Sequence, residues 1–135
     1  MLACRLQPQA YISMDSILAK NGLIGTVPER TVTAVDVGKR KRILETLFGT
    51  IRYFSTQKTF IFGVHSSPQG IRIADNEKAY IDLLYYYTKG ARFVVDPFQE
   101  VRMNKLNQDK IARYLKHYRN PKFVAFVKGT LHEIT

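Results

Sequence analysis

With 135 residues, 45% of them hydrophobic, the chain can build one hydrophobic core and is too short for two. Twenty-one lysines and arginines against eleven acids leave a formal net charge of +10, more of one sign than solubility requires, which points to phosphates or an acidic protein surface as partners. The single cysteine, Cys4, excludes an internal disulfide, no Cys/His spacing suits zinc, and no apolar run approaches the roughly 20 residues that span a bilayer, so a cytoplasmic protein without cofactor or membrane insertion is expected.

Residues 1–9 read as an entry segment or truncated linker, because Pro8 interrupts any local helix, and they lack the apolar stretch of a secretory signal. A single domain is expected over residues 10–135. Ser13 is the expected N-cap of a short helix carrying Met14, Ile17 and Leu18 and stopped by Asn21-Gly22. The β-branched run at residues 31–37 predicts a strand, and residues 43–47 and 50–55 predict two more around a turn at Gly49. Residues 60–64 and 71–73 add two short strand candidates, separated by the loop Ser66-Ser67-Pro68-Gln69-Gly70.

Asp75 then caps a helix whose first turn carries Glu77, where negative charge suits the helix dipole. Tyr80, Leu83, Leu84 and Tyr87 recur at helical spacing as its apolar face, and Lys89-Gly90 is the stop signal. Phe93-Val94-Val95 is a brief apolar run before Asp96-Pro97. Asn107 is placed to cap a helix with Ile111, Tyr114, Leu115 and Tyr118 on one side, and Asn120-Pro121 opens another. A strand-rich first half and a helix-rich carboxy-terminal half predict an α+β fold, a small, mainly antiparallel sheet packed with about four helices.

Two stretches carry a family resemblance. The first is Ile73-Ala74-Asp75-Asn76-Glu77-Lys78-Ala79-Tyr80-Ile81-Asp82-Leu83-Leu84; the second is Tyr11-Ile12-Ser13-Met14-Asp15-Ser16-Ile17-Leu18, followed by Asn21-Gly22-Leu23-Ile24. Together they resemble the carboxy-terminal domain of AbiEi-type antitoxins, the antidote half of type IV toxin–antitoxin pairs. Asn76 stands where that family favours proline, Ile17 where it favours alanine and Asn21 where it favours histidine. The resemblance implies a non-enzymatic domain that neutralises a cognate nucleotidyltransferase-like toxin and contributes to transcriptional autoregulation, a role that in the family rests mainly on an upstream winged helix. No winged helix is recognised in these residues, so the chain is read as a stand-alone domain of this type or as the carboxy-terminal part of a longer protein.

The densest charge run is Lys39-Arg40-Lys41-Arg42, at the expected end of a strand, where long side chains reach a phosphate backbone; Arg52 is grouped with it. The competing reading is a solvated turn whose charge keeps the sheet edge from pairing. A second basic region comprises Lys105, Lys110, Arg113, Lys116, Arg119, Lys122 and Lys128, turned outward by the apolar stripe of the Ile111 helix. DNA or an acidic partner would use these surfaces; an ordinary polar helix face is the bland alternative.

Tyr85-Tyr86-Tyr87 cannot all enter one core, so at least one is expected near the surface unless the helix is wedged between layers. Lys78 and Asp82 are spaced for an i,i+4 ion pair. Asp96, Glu100 and Arg102 faintly match the acid–acid–base order of metal-dependent nucleases, but the customary lysine is missing and the spacing is read as chance. His65, His117 and His132 are scattered and mark no nucleophile. The leading expectation is the antitoxin domain; the alternatives are a basic nucleic-acid-binding regulatory module and, behind it, a small metal-dependent nuclease.

Overall fold

A computed structural model describes residues 9–25, 30–38 and 42–134, with side chains to Leu131. In chain order the elements are β1 (Tyr11–Ile12), α1 (Asp15–Lys20), β2 (Thr31–Val37), β3 (Arg42–Thr46), β4 (Gly49–Thr56), β5 (Val64–Ser66), β6 (Arg72–Ala74), α2 (Asn76–Thr88), α3 (Gln108–Leu115) and α4 (Pro121–Ile134). Single 3-10 turns lie at Lys58–Phe60 and Met103–Lys105. The α+β class therefore holds.

All six strands join one sheet in the order β3-β4-β2-β1-β6-β5. It is mixed rather than mainly antiparallel: β3/β4, β1/β2 and β5/β6 run antiparallel, while β2/β4 and β1/β6 run parallel. The reason is topological. After β2 the chain reaches the sheet edge as β3 and returns through a two-residue hairpin, which seats β4 against β2 in the same direction. The other half repeats the plan, with β5 at the edge and β6 returning parallel to β1.

Register sorts the side chains into two rows. Tyr11, Val35 and Phe54 lie side by side across β1, β2 and β4 and face α2, where Phe54 packs 4.9 Å from the Tyr86 ring. Ile12, Ala34 and Tyr53 form the opposite row, and both rows are buried. Each fully buried aliphatic or aromatic side chain of this kind contributes roughly 1.5–3 kcal/mol. At the hairpin, Gly49 adopts φ 130, and a Cβ there would lie 2.0 Å from the Arg30 carbonyl oxygen, so no larger residue fits.

Helix α2 is the centre of the molecule. Asp75 caps it as expected, accepting from the Lys78 amide, and Lys89-Gly90 ends it. Its apolar face is not the predicted stripe: Tyr87 is 43% exposed, whereas Glu77, Lys78, Ala79, Ile81, Asp82 and Tyr86 are buried along with Tyr80, Leu83 and Leu84. Contacts with α1, α3, α4 and β6 cover it on several sides, which explains why polar positions went inside.

Two further expectations change. Ser13 does not cap α1; the helix starts after Met14, held at φ 58 without a side-chain cap, and the Ser13 hydroxyl is used elsewhere. Residues 60–64 do not form a strand, because a 3-10 turn and Gly63 at φ 65 swing Phe60 and Phe62 onto the helices before β5 begins at Val64. Asn107 and Asn120 both act as helix-start acceptors, as their positions predicted.

Candidate functional site

The two sequence blocks that carry the family resemblance meet in space. Ile12 of β1 pairs with Ile73 of β6, and the Asn21 side-chain amide donates to the Asn76 side-chain oxygen Oδ1 at 2.6 Å. Beneath them, Asp82 collects three donors. Tyr11 and Ser13 hydroxyls reach Oδ2 at 3.0 and 2.7 Å, and the Lys78 ammonium lies 2.8 Å from Oδ1.

Lys78 is fully buried and Asp82 nearly so. The predicted i,i+4 pair thus forms, but inside the protein. The ammonium also donates to the Tyr118 hydroxyl at 3.3 Å and sits 4.1 Å from the centre of the Phe62 ring, a cation–π contact that replaces part of its lost hydration. Burial, followed by the negative charge of Asp82, raises the Tyr11 and Tyr118 phenols well above their usual ionisation range. The two phenols are therefore neutral at neutral pH, and the cluster is closed to solvent.

A second ionic cluster lies at the rim of the same helix. Lys110 of α3 reaches Asp75 at 3.0 Å and Glu77 at 3.3 Å, while Asp75 also accepts from the Tyr114 hydroxyl and Glu77 from the Asn107 amide. Partial burial pulls the Lys110 pKa down, but the hydrogen bond and charge of Asp75, with help from Tyr114 and Glu77, outweigh it and the net shift is upward. The same surroundings, burial first and then Asp75, push Tyr114 up to about 12. Lys110 therefore holds α3 to α2, a use that competes with the surface role predicted for it.

Arg113, Lys116 and Arg119 are exposed, as are Lys122 and Lys128, and none of the five is in an ion pair among the described residues. Lys105 instead donates to the Gly22 carbonyl. Lys116, His117, Arg119 and Asn120 line one side of a groove of about 780 Å³ whose other side is Gln57, Thr59 and Phe60. His117 lies flat on Phe62, 4.0 Å between ring centres.

Lys39, Arg40 and Lys41 lie outside the described residues. Gly38, the last described residue after β2, donates to the Thr56 carbonyl at 3.0 Å. Arg42 begins β3 with its guanidinium 4.3 Å from the centre of the Tyr53 ring and 4.0 Å from the Asp36 carboxylate. Arg52 packs over Phe54 and Phe93 and donates to the Arg92 carbonyl.

The weak nuclease spacing resolves into loop structure. Asp96 accepts from the amides of Phe98 and Gln99, and Glu100 accepts from the Asp96 amide, so both carboxylates close a turn. No group of three His, Cys, Asp or Glu side chains suited to a metal occurs among the described residues. His65 is exposed, and the His132 side chain is outside the described set.

Sequence reasoning missed the hydroxyls and rings that complete the Lys78–Asp82 cluster, since Tyr11, Ser13, Phe62 and Tyr118 are remote in the chain. A signal was present: a lysine and an aspartate, four apart, interrupt an otherwise apolar helix. A scan against protein-family models and a search of curated proteins return no match to this chain.

Proposed function

We propose that the chain is a non-enzymatic antitoxin domain of the AbiEi type, which neutralises a cognate nucleotidyltransferase-like toxin in the cytoplasm. One observation carries the reading: the two stretches that resemble this family are joined through the Asp82 cluster and the β1/β6 pair, so they act as one structural unit. Motif residues that depend on one another across the fold are better explained by a shared ancestry than by two coincidences. Co-expression tests it. The chain should relieve growth arrest caused by its cognate nucleotidyltransferase-like toxin, and failure of soluble, folded chain to do so removes the assignment.

A second reading, a basic nucleic-acid-binding regulatory module, is favoured by the groove and its exposed Lys116 and Arg119, which form no ion pair among the described residues. Each phosphate contact on duplex DNA contributes a slope of roughly −0.9 in log affinity against log salt. Replacing Arg113, Lys116 and Arg119 with alanine should flatten that slope, as should the same change at residues 39–42. An unchanged slope takes those residues off the DNA.

A further inference from the structure

The β3–β4 hairpin carries exposed apolar side chains that neither reading uses. Its loop is Leu47-Phe48, 90% and 75% exposed, and Ile43 on β3 is 61% exposed. The turn does not require these residues. Neither adopts positive φ; that conformation falls on Gly49, so polar side chains would serve the loop equally well.

The tip is also firmly placed. The Arg30 guanidinium donates to the Leu47 carbonyl at 2.5 Å, the Arg30 carbonyl accepts from the Thr50 amide at 2.7 Å, and the Thr46 hydroxyl bonds to Gly49 and Phe48. Two large apolar side chains are thus held in water by a braced turn. β3 is an edge strand, so among the described residues its outer row of backbone groups has no strand partner.

Charge identifies the complement. Ile43 lies opposite Arg52, whose guanidinium packs on Phe93, beside the 74% exposed Val94 and next to Arg92. Arg30 and Arg42 flank the hairpin's two ends, and among the described residues of the hairpin Glu45 is the only acid. β3 also follows directly on Lys39-Arg40-Lys41 in the chain. Apolar side chains on an edge strand that begins at Arg42 and has Arg52 on its neighbour match an extended segment that alternates acidic and apolar residues, with backbone hydrogen bonds supplying affinity and charge supplying selectivity.

We propose that the β3 edge is a docking site for an acidic, extended segment of a partner protein, which adds to the sheet as a seventh strand with its apolar side chains against Ile43, Leu47 and Phe48. This is independent of the antitoxin reading: peptide binding and toxin rescue can each succeed where the other fails.

The test is fluorescence anisotropy with an end-blocked, labelled peptide alternating glutamate and valine, and with its lysine–valine counterpart. The acidic peptide should bind saturably, more weakly as salt rises, and slow amide exchange across residues 42–46. The lysine peptide should bind at least roughly tenfold more weakly. Leu47→Ser combined with Phe48→Ser should keep the melting temperature, since both side chains are outside the core, and lower affinity by roughly tenfold or more; Ile43→Thr, which preserves strand propensity, should do so to a smaller degree. Absence of saturable binding, equal binding of the two peptides, or undiminished affinity in the double variant overturns the proposal. So does self-association of the free chain abolished by that variant, because the occupant is then a second copy.

Discussion

Two ionic clusters fasten helix α2, and they differ in one respect, access to water. Lys78–Asp82 is enclosed, with Tyr11, Ser13, Phe62 and Tyr118 satisfying what the pair leaves over. Lys110 with Asp75 and Glu77 sits at the rim, its side chain 31% exposed. The same chemistry therefore has opposite tolerance to loss. At the rim a deleted partner is replaced by solvent, whereas in the interior the survivor keeps its charge with nothing to balance it.

The largest effect should come from breaking the enclosed pair on one side. Asp82→Ala strands the Lys78 ammonium and is expected to destabilise the fold by about 3–5 kcal/mol, measured by urea unfolding. Lys78→Met combined with Asp82→Leu should recover more than half of that loss, because it removes both charges. If the double variant is as unstable as the single one, the pair does not behave as a desolvated ion pair and the contrast between the clusters fails.

Next in size is Asp75→Ala at the rim. It removes the α2 cap and the acceptor for Tyr114 and Lys110, and about 1–2 kcal/mol should be lost in the same assay. Alkaline titration sharpens the comparison further. Tyr114 is held at about 12 against 10.0 for an unperturbed phenol, so its contribution is intact below pH 10 and is lost as pH rises through about 12. Tyr114→Phe should remove that part of the alkaline slope, leaving the part due to the other raised phenols, Tyr11, Tyr80, Tyr86 and Tyr118. An unaltered slope would mean that Tyr114 is not coupled to Asp75. The smallest expected effect is Lys110→Met, below about 1 kcal/mol, and shrinking as salt is added, since the Lys110 side chain is itself partly open to solvent.

Much of the local structure was legible because it is written in short-range chemistry. Asp75, Asn107, Asn120-Pro121, Asn21-Gly22 and Lys89-Gly90 all mark helix ends through groups within a few residues of them. Strands β2, β3 and β4 were visible in their β-branched and apolar content and in Gly49. What could not be read was pairing. The parallel partnership of β2 with β4 depends on the chain visiting the edge first, and no local pattern encodes that order.

Ser13 shows the same limit from the other side. Its local signal, a hydroxyl before an apolar helix, was overridden by a buried carboxylate sixty-nine residues away. For the candidate surface, the sequence located Arg113, Lys116 and Arg119 correctly on an outward face, but could not reveal that Lys110 is drawn into the rim cluster, nor that the hairpin tip projects Leu47 and Phe48 into water.

The route by which β4 reaches β2 has a kinetic consequence. Seven residue pairs align residues 31–37 with 50–56, and every one of them joins positions nineteen apart in sequence. Such a ladder cannot grow outward from a turn as a hairpin does; the intervening chain must be closed before the first hydrogen bond repays it. The β3–β4 hairpin, whose contacts are local, has the smaller closure cost and is expected to form before β4 docks on β2. Substitutions at its turn should slow folding, whereas those on the β2 face of β4 should chiefly speed unfolding.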